Sequence, residues 1–287
     1  MELERVASSA PPRPAFPIHL CQPDAGKSCA ACCGIYNFKD NSRRAVSERL
    51  LRNTVLLQED KAQEDLRCHS DCYRPLDNGL AKRFQTVFNC EFVGFLDSER
   101  RRVGCLLHPA TNGGTDLRTV SFYGSELCDG HFCLSYYYLS EDEQRFVVES
   151  IDDWYLYGLV VTDIDLVKGI YQALSDRIGE GVRPSALQMP EIRKATQSLW
   201  RWKLDWPFRH PGTNQFGKYL FEGETYREIR IPYDHWGRGP SPYDRILKAL
   251  GSRFQSVDDL EAAERKIEGA LESYARLYES SFSEGTL

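Results

Sequence analysis

Apolar residues in the second half of the chain recur at the three- and four-residue spacing of amphipathic helices. The clearest stripe begins after Ser256, a residue type that caps helix N-termini. Its members are Leu260, Ala263, Ile267, Leu271, Tyr274 and Leu277. Charged residues separate these positions, so the stripe predicts a C-terminal helix that packs on a core.

Three further helices are predicted in this half from the same periodicity and from their end signals. The first begins at a capping box of Ser140 and Glu143, and its apolar face continues through Phe146, Val147, Ile151, Trp154 and Tyr155. The second runs from Thr162 to a stop at Gly179. The third runs from Pro190 to about Lys203. Between the last two long helices, residues 217–220 and 226–231 flank Glu222-Gly223-Glu224, and the second run alternates in polarity. This pattern predicts a small hairpin.

The first half of the chain is rich in cysteine and is expected to depend on metal ligation more than on an apolar core. All ten cysteines precede residue 134, whereas all five tryptophans follow it. One helix is predicted from Arg44 to about Gln58, and ligation is expected to stabilise much of the remainder. We therefore predict an α+β, predominantly helical fold with a metal-stabilised cysteine-rich N-terminal region and a helical C-terminal region carrying the hairpin. The predicted division is a Pro-rich tail at 1–19, a cysteine-cluster domain at 20–138 and a helical domain at 139–287.

Charge and hydropathy exclude several classes of partner. The net charge of −6 and the isoelectric point near 5.6 give no general attraction to phosphate backbones, so we expect no nucleic acid partner. No stretch approaches the roughly 18 apolar residues of a membrane span, and the N-terminus carries no apolar export signal. We expect a cytoplasmic protein with reduced thiols, because cysteines stay unpaired in a glutathione-buffered compartment.

Eight of the cysteines have spacing that suits metal ligation. The first segment reads Cys21-x7-Cys29-x2-Cys32-Cys33, in which a two-residue gap lets two thiolates reach one ion from the same loop. Four downstream thiols, Cys90, Cys105, Cys128 and Cys133, can complete the sets. Eight thiols fit two sites of four ligands, and a closed thiolate set favours Zn²⁺, with iron or a 4Fe–4S cluster as the alternative.

The adjacent pair Cys32 and Cys33 cannot readily serve one tetrahedron, because neighbouring side chains project in different directions. Either the two thiols ligate two neighbouring metal ions, or one is a ligand while the other packs in the core or acts as a reactive thiol. His108 and His131 are spaced to replace a thiolate, and each could equally be a hydrogen-bonded imidazole outside the ligand set.

A third motif, Cys68-x3-Cys72 with His69, stands apart from the other cysteines in a polar segment. It can supply an extra pair of ligands. It can equally be a pair of small buried side chains, because free cysteine is among the most buried residue types.

The cysteine pattern resembles a known family. The stretch CAACC at 29–33, the block NCEFVGFLDSERRRVGCLLHP at 89–109 and the later Cys128 and Cys133 are similar to the cysteine-cluster family described as zinc- or iron-chelating, whose signature is Cys-x2-Cys-x2-Cys-Cys. The resemblance covers about residues 20–135 and excludes the helical half. It matches Cys29, Cys32 and Cys33 to the end of the signature and Cys90, Cys105 and Cys128 to the second block. Cys21 departs from it, since seven residues separate it from Cys29.

Two functional hypotheses follow. In the first, the cluster is a structural or metal-handling module, and the helical half offers a surface for a protein partner. In the second, the chain is an iron–sulfur or metal-dependent enzyme. The resemblance supplies no general reaction, but it keeps the second hypothesis open, because one relative with this kind of cluster is a lysine N-methylase that acts on flagellin. No nucleophile, base or cofactor loop stands out in the sequence, which favours the first.

Overall fold

Helices dominate the regular structure of this chain, and its strands form two small antiparallel pairs. The computed structural model describes residues 18–62, 66, 80–85, 87–211, 221–222, 225–226 and 229–283. Within them the α-helices are α1 (Arg43–Ala62), α2 (Gly124–Gly130), α3 (Ser135–Tyr138), α4 (Glu141–Ser150), α5 (Trp154–Val161), α6 (Ile164–Ile178), α7 (Pro190–Asp205), α8 (Asp244–Ala249) and α9 (Val257–Ser283). The α+β, predominantly helical fold class is confirmed. Stabilisation by metal stays a prediction.

The strands lie in both halves of the chain. Strand β1 (Val93–Phe95) pairs with β2 (Val103–Cys105), and β3 (Phe221–Glu222) pairs with β4 (Thr225–Tyr226). The second pair confirms a small hairpin in the predicted region, but the described residues 229–231 of the predicted second strand are not in a strand. Residues 217–220 of the predicted first strand lie outside the described residues. The first pair packs against α1, where the Asn53 side-chain amide donates to the carbonyl of Val93 at 3.0 Å.

The helix starts follow the predicted caps, with two corrections. The capping box of Ser140 and Glu143 is present at the start of α4. The expected single helix through Tyr155 is wrong, because residues 151–153 leave the helical conformation and the Asp153 carboxylate caps α5 through the Leu156 amide. The predicted start at Thr162 is also wrong.

Thr162 ends α5, and its hydroxyl donates to the carbonyl of Gly158 at 2.7 Å. Asp163 caps α6, whose end at Gly179 is confirmed by a left-handed φ of +79°. The helices beginning at Pro190 and after Ser256 are also confirmed, and the Ser256 hydroxyl accepts the Asp259 amide at 3.2 Å. Local side-chain chemistry therefore sets most of the helix starts.

Helix α5 lies in the hydrophobic core. All eight of its residues are buried, which is typical of a helix that is apolar on every face. The Tyr157 hydroxyl donates to the carbonyl of Leu20 at 2.8 Å, and the Tyr36 hydroxyl donates to that of Tyr155 at 2.9 Å. Side chains of the cysteine-rich region and of the helical half thus share core contacts across residue 139. The division into separate domains stays a prediction.

A buried ion pair connects Asp163, at the start of α6, to Lys203 of α7. The Lys203 ammonium contacts the Asp163 carboxylate and lies 3.3 Å from the carbonyl of Ala249. Both side chains are almost fully buried. The Asp163 carboxylate also accepts the Leu166 amide at 3.1 Å, so one group serves as both counterion and helix cap.

In the part of the chain that the structure describes, no helix combines the length and the apolar character needed to cross a membrane.

Candidate metal centre

One set of thiols gathers where the N-terminal segment meets α3. We call Cys21, Cys29, Cys32 and Cys133 the first thiol group. The Cys29 amide donates to the carbonyl of Cys21 at 2.9 Å. The Tyr136 hydroxyl accepts the Cys21 amide at 3.1 Å and lies 3.6 Å from its Sγ atom. Since the Tyr136 amide donates to the Cys133 carbonyl at 3.0 Å, this tyrosine joins Cys133 to Cys21.

A second set gathers around the first strand pair. We call Cys33, Cys90, Cys105 and Cys128 the second thiol group. The Cys90 amide donates to the carbonyl of Cys33 at 2.9 Å. Cys105 ends β2 opposite Val93 of β1, so strand pairing returns it to the neighbourhood of Cys90. Cys128 comes from α2.

Aromatic contacts bring α2 to this second group. The rings of Phe88 and Phe122 stack with their centroids 4.6 Å apart, and Tyr123 packs edge-on against Phe88 at 5.0 Å. Phe88 lies two residues before Cys90, and Tyr123 immediately precedes α2. These contacts hold the helix that carries Cys128 beside the segment that carries Cys90.

Thiols of the first group raise one another's pKa values. Burial holds the pKa of the Cys29 thiol well above its ordinary value, and its neighbours Cys21, Cys32 and Cys133 raise it further. Burial raises the pKa of Cys21 to about 11, against a lowering hydrogen bond from Tyr136. Burial of the thiol raises the pKa of Cys32 to about 12, and the neighbouring Cys133 and Cys21 add to this shift. Part of the Cys32 residue nevertheless reaches the surface.

The second group behaves in the same way. Burial raises the pKa of Cys33 well above its ordinary value, and Cys90, Cys105 and Cys128 add to the shift. Burial also raises the pKa of Cys90, with further contributions from Glu91, Cys105 and Cys128. The pKa of Cys105 is raised by burial and by Cys128, although backbone amides lower it. A thiol whose pKa is raised is a weak nucleophile, so Cys33, Cys90 and Cys105 do not resemble activated catalytic cysteines.

The adjacent residues Cys32 and Cys33 fall in different groups. They end a short 3₁₀ helix (Ala31–Cys33), and Gly34 follows with a left-handed φ of +80°. Besides burial, the pKa of Cys32 responds to Cys133 and Cys21, whereas that of Cys33 responds chiefly to Cys90 and Cys105. Cys32 also raises the pKa of Cys33, so the two groups lie close to each other at this pair. That both thiols are metal ligands stays a prediction.

Gly34 holds the two chain segments of the second group close together. A Cβ atom at this position would lie 2.6 Å from the Phe88 carbonyl oxygen and 2.8 Å from the Asn89 side-chain nitrogen. We expect Gly34→Ala to lower the free energy of unfolding by about 1–2 kcal/mol for its left-handed backbone and by about 1–3 kcal/mol more for the overpacking.

Gly179→Ala is the matched control, because Gly179 has a φ of +79° and a Cβ atom added there would meet nothing within 4 Å. Urea denaturation of both variants measures the difference. Equal destabilisation by the two substitutions would contradict the close approach at Gly34.

Of the two candidate histidines, His108 adjoins the second thiol group, because its backbone amide donates a hydrogen bond to the Cys105 thiol and lowers the pKa of that thiol. The His108 Nδ1 atom accepts the Ala110 amide at 3.1 Å and thereby caps a short 3₁₀ helix. Burial lowers the pKa of His108, and Arg118 lowers it further. His131 is the exposed residue that ends α2. Cys68, Cys72 and His69 lie outside the described residues.

One contributor to the site, Tyr136, carries no signal in the sequence. Tyr136 contacts Cys21, and its hydroxyl lies 3.4 Å from the Nδ1 atom of His19. A tyrosine within a run of three offers no spacing that would single it out. Only the folded chain places this hydroxyl beside a thiol separated from it by 115 residues.

As placed, the thiols are neighbours and do not form a coordination shell. Within the described residues, no group of three or more histidine, cysteine, aspartate or glutamate side chains is arranged so that it could hold a metal ion. All eight described cysteines are free thiols. Comparison with protein-family models, with curated proteins and with solved structures finds no match for this chain.

Proposed function

We propose that this chain binds two metal centres, one through the first thiol group and one through the second, and that it serves as a structural or metal-handling module. The proposal rests on two separate neighbourhoods of thiols: the Cys29 amide donates to Cys21 and Tyr136 joins Cys21 to Cys133, whereas the Cys90 amide donates to Cys33. The effects of the thiols on one another's pKa values follow the same division, with Cys32 in the first group and Cys33 in the second. A tetrahedral zinc site takes four thiolates, and each group supplies that number.

The donor chemistry of each group fits a thiophilic metal. Four sulfur donors suit zinc or an iron–sulfur cluster better than they suit a hard cation such as magnesium. A bound cation would supply the positive charge that buried thiolates need, and it would cross-link segments far apart in the sequence. Zinc is the preferred metal of the proposal, because a closed thiolate set carries no redox requirement. Iron or a 4Fe–4S cluster is the alternative.

Metal analysis tests the proposal directly. We expect protein prepared without oxygen or chelator to hold about two equivalents of zinc, and X-ray absorption to find about four sulfur ligands around each ion. A brown protein with broad absorption near ~400 nm would support the iron–sulfur alternative. Less than about half an equivalent of any transition metal would contradict metal binding.

An iron–sulfur or metal-dependent enzyme, such as a protein-modifying transferase, is the second candidate. The observation in its favour is that Cys32 and Cys128, one from each thiol group, are exposed. A centre whose ligand lies at the surface can admit a substrate to an open coordination position. About three sulfur ligands with one exchangeable water would support this candidate over the structural one.

The proposal includes a cytoplasmic location, because free thiols persist in a reducing compartment. It also includes a protein partner for the helical half.

A further inference from the structure

Exposed apolar side chains concentrate in one short segment of the chain. Among the described residues, nine large apolar side chains are exposed, and six of them lie between residues 122 and 138. They are Phe122, Tyr123, Leu127, Leu134, Tyr137 and Tyr138. Single exposed apolar residues are ordinary on a protein surface, but a concentration of this kind marks an interaction site. We call these six residues the aromatic segment.

The helices of this segment present the side chains outward. Leu134, Tyr137 and Tyr138 have the spacing of one helix face, and Tyr137 and Tyr138 are 56% and 61% exposed. Tyr136, which precedes Tyr137 in the sequence, is only 3% exposed. Helix α3 therefore has one buried side and one apolar side that faces solvent. Phe122 is 64% exposed even though its ring stacks on Phe88.

Acidic residues outnumber basic ones within and beside the aromatic segment. No lysine or arginine occurs between residues 119 and 144, whereas five acidic residues do: Glu126, Asp129, Glu141, Asp142 and Glu143, the last paired with Lys168. Arg118, the nearest preceding cation, is buried and already contacts both Asp116 and Asp129. Glu141 is paired with Arg145 on the same helix at 2.7 Å, so Glu126 and Asp142 give the border its acidic character. The segment therefore combines exposed aromatic rings with an acidic border.

We propose that the aromatic segment docks a partner protein that presents arginine or lysine side chains around an apolar centre. Tyrosine and phenylalanine faces attract such cations, and the carboxylates add long-range attraction. Tyrosine and arginine are also the residue types that dominate binding energy at protein interfaces.

The charge pattern argues against the other possible occupants. A second copy of this chain, related by a twofold axis, would place the same acidic border against itself. Like charges facing one another oppose such an interface. Nucleic acids and anionic lipid surfaces carry the same sign of charge as this border, so they are repelled as well.

A peptide of alternating arginine and leucine, labelled with a fluorophore, is the probe. We expect the full chain to bind it in a fluorescence-polarisation titration, and we expect the affinity to fall as salt is added. The triple variant Phe122→Ser/Tyr137→Ser/Tyr138→Ser should bind about tenfold more weakly. Val55→Ser is the matched control, because Val55 is also exposed but lies on α1. This variant should bind the peptide with unchanged affinity.

A second comparison keeps the test valid if the triple variant does not fold. Glu126→Gln/Asp142→Asn should weaken peptide binding and flatten its salt dependence, whereas Asp258→Asn/Glu272→Gln on α9 should change neither. The metal content of each variant is measured in parallel, and the docking proposal does not depend on its value.

Three results would overturn the proposal. The first is no binding of the arginine peptide by the unmodified chain. The second is equal binding of a peptide of alternating glutamate and leucine. The third is a dimer in sedimentation velocity that the triple variant abolishes, since that outcome assigns the surface to self-association.

Discussion

Replacing Cys32 and Cys33 together is expected to remove about two equivalents of metal, whereas replacing Cys29 and Cys32 together removes about one. The reason is that Cys32 and Cys33 fall in different thiol groups, while Cys29 and Cys32 belong to the same one. Once a closed site has lost one thiolate, a second loss from that site removes no further ion. Either single change, Cys32→Ser or Cys33→Ser, should therefore cost about one equivalent.

The count of metal per folded protein is the measurement, with circular dichroism to establish that each variant is folded. Cys33→Ser/Cys90→Ser serves as the matched pair within the second thiol group and should also lose about one equivalent. Loss of about one equivalent from Cys32→Ser/Cys33→Ser would contradict the division into two groups. If both single variants keep their metal, neither adjacent thiol is an indispensable ligand.

The buried pair of Asp163 and Lys203 gives the largest expected change in stability. Asp163→Asn keeps a helix cap for α6 but leaves the buried Lys203 ammonium without its counterion, and we expect a loss of about 3–5 kcal/mol. Lys203→Met leaves the carboxylate unpaired and should cost a similar amount. The double variant Asp163→Asn/Lys203→Met removes both charges, so it should be more stable than either single variant.

Urea denaturation of all four proteins forms a double-mutant cycle that measures the interaction. If the double variant loses the sum of the two single losses, the two side chains do not stabilise the fold as a pair.

The same pair predicts how stability depends on pH. Burial lowers the pKa of Lys203, although Asp163 opposes this shift. The folded chain therefore binds fewer protons at this site than the unfolded chain, and stability should rise with pH between the lowered folded value and the ordinary lysine value. In Asp163→Asn this rise should begin at a lower pH, since the opposing carboxylate is gone. A pH series of urea denaturation curves for both proteins measures this contribution.

Much of the helical half is predictable from sequence because its signals are local. The capping box at Ser140 and the stop at Gly179 each depend on a few neighbouring residues. The break at residues 151–153 is harder to predict, because the apolar spacing continues through it and only the Asp153 cap interrupts the helix. Periodicity therefore identifies the buried face correctly even where it misplaces a helix boundary.

The strands beside the second thiol group have no counterpart among the elements predicted from sequence. Both β1 and β2 are three residues long, and each has a glycine at its centre. A Cβ atom at Gly94 would lie 2.4 Å from the Thr54 hydroxyl, so this glycine permits close packing on α1. Such a contact depends on a helix about 40 residues away in the chain, and no local pattern reveals it.

Cysteine spacing predicts that ligands exist but does not predict which of them lie together. The turn from Cys29 to Cys32 is local and is apparent in the sequence. The return of Cys133 to Cys21 depends on Tyr136, and the approach of Cys128 to Cys90 depends on aromatic packing at Phe88. These contacts form only when the whole chain folds, so the sequence leaves the assignment of thiols to sites open.

The contact between Tyr157 and Leu20 bears on how the protein is made. The two residues are separated by 137 positions, and the segment around Leu20 also depends on Tyr136. During translation this segment leaves the ribosome long before either tyrosine is synthesised, so it has no core to enter at that stage. Cys21 and Cys29 are then open to oxidants and to metal donors in the cell. The nascent chain thus has an interval in which its thiols must be kept reduced, and that interval ends only after α5 has been translated.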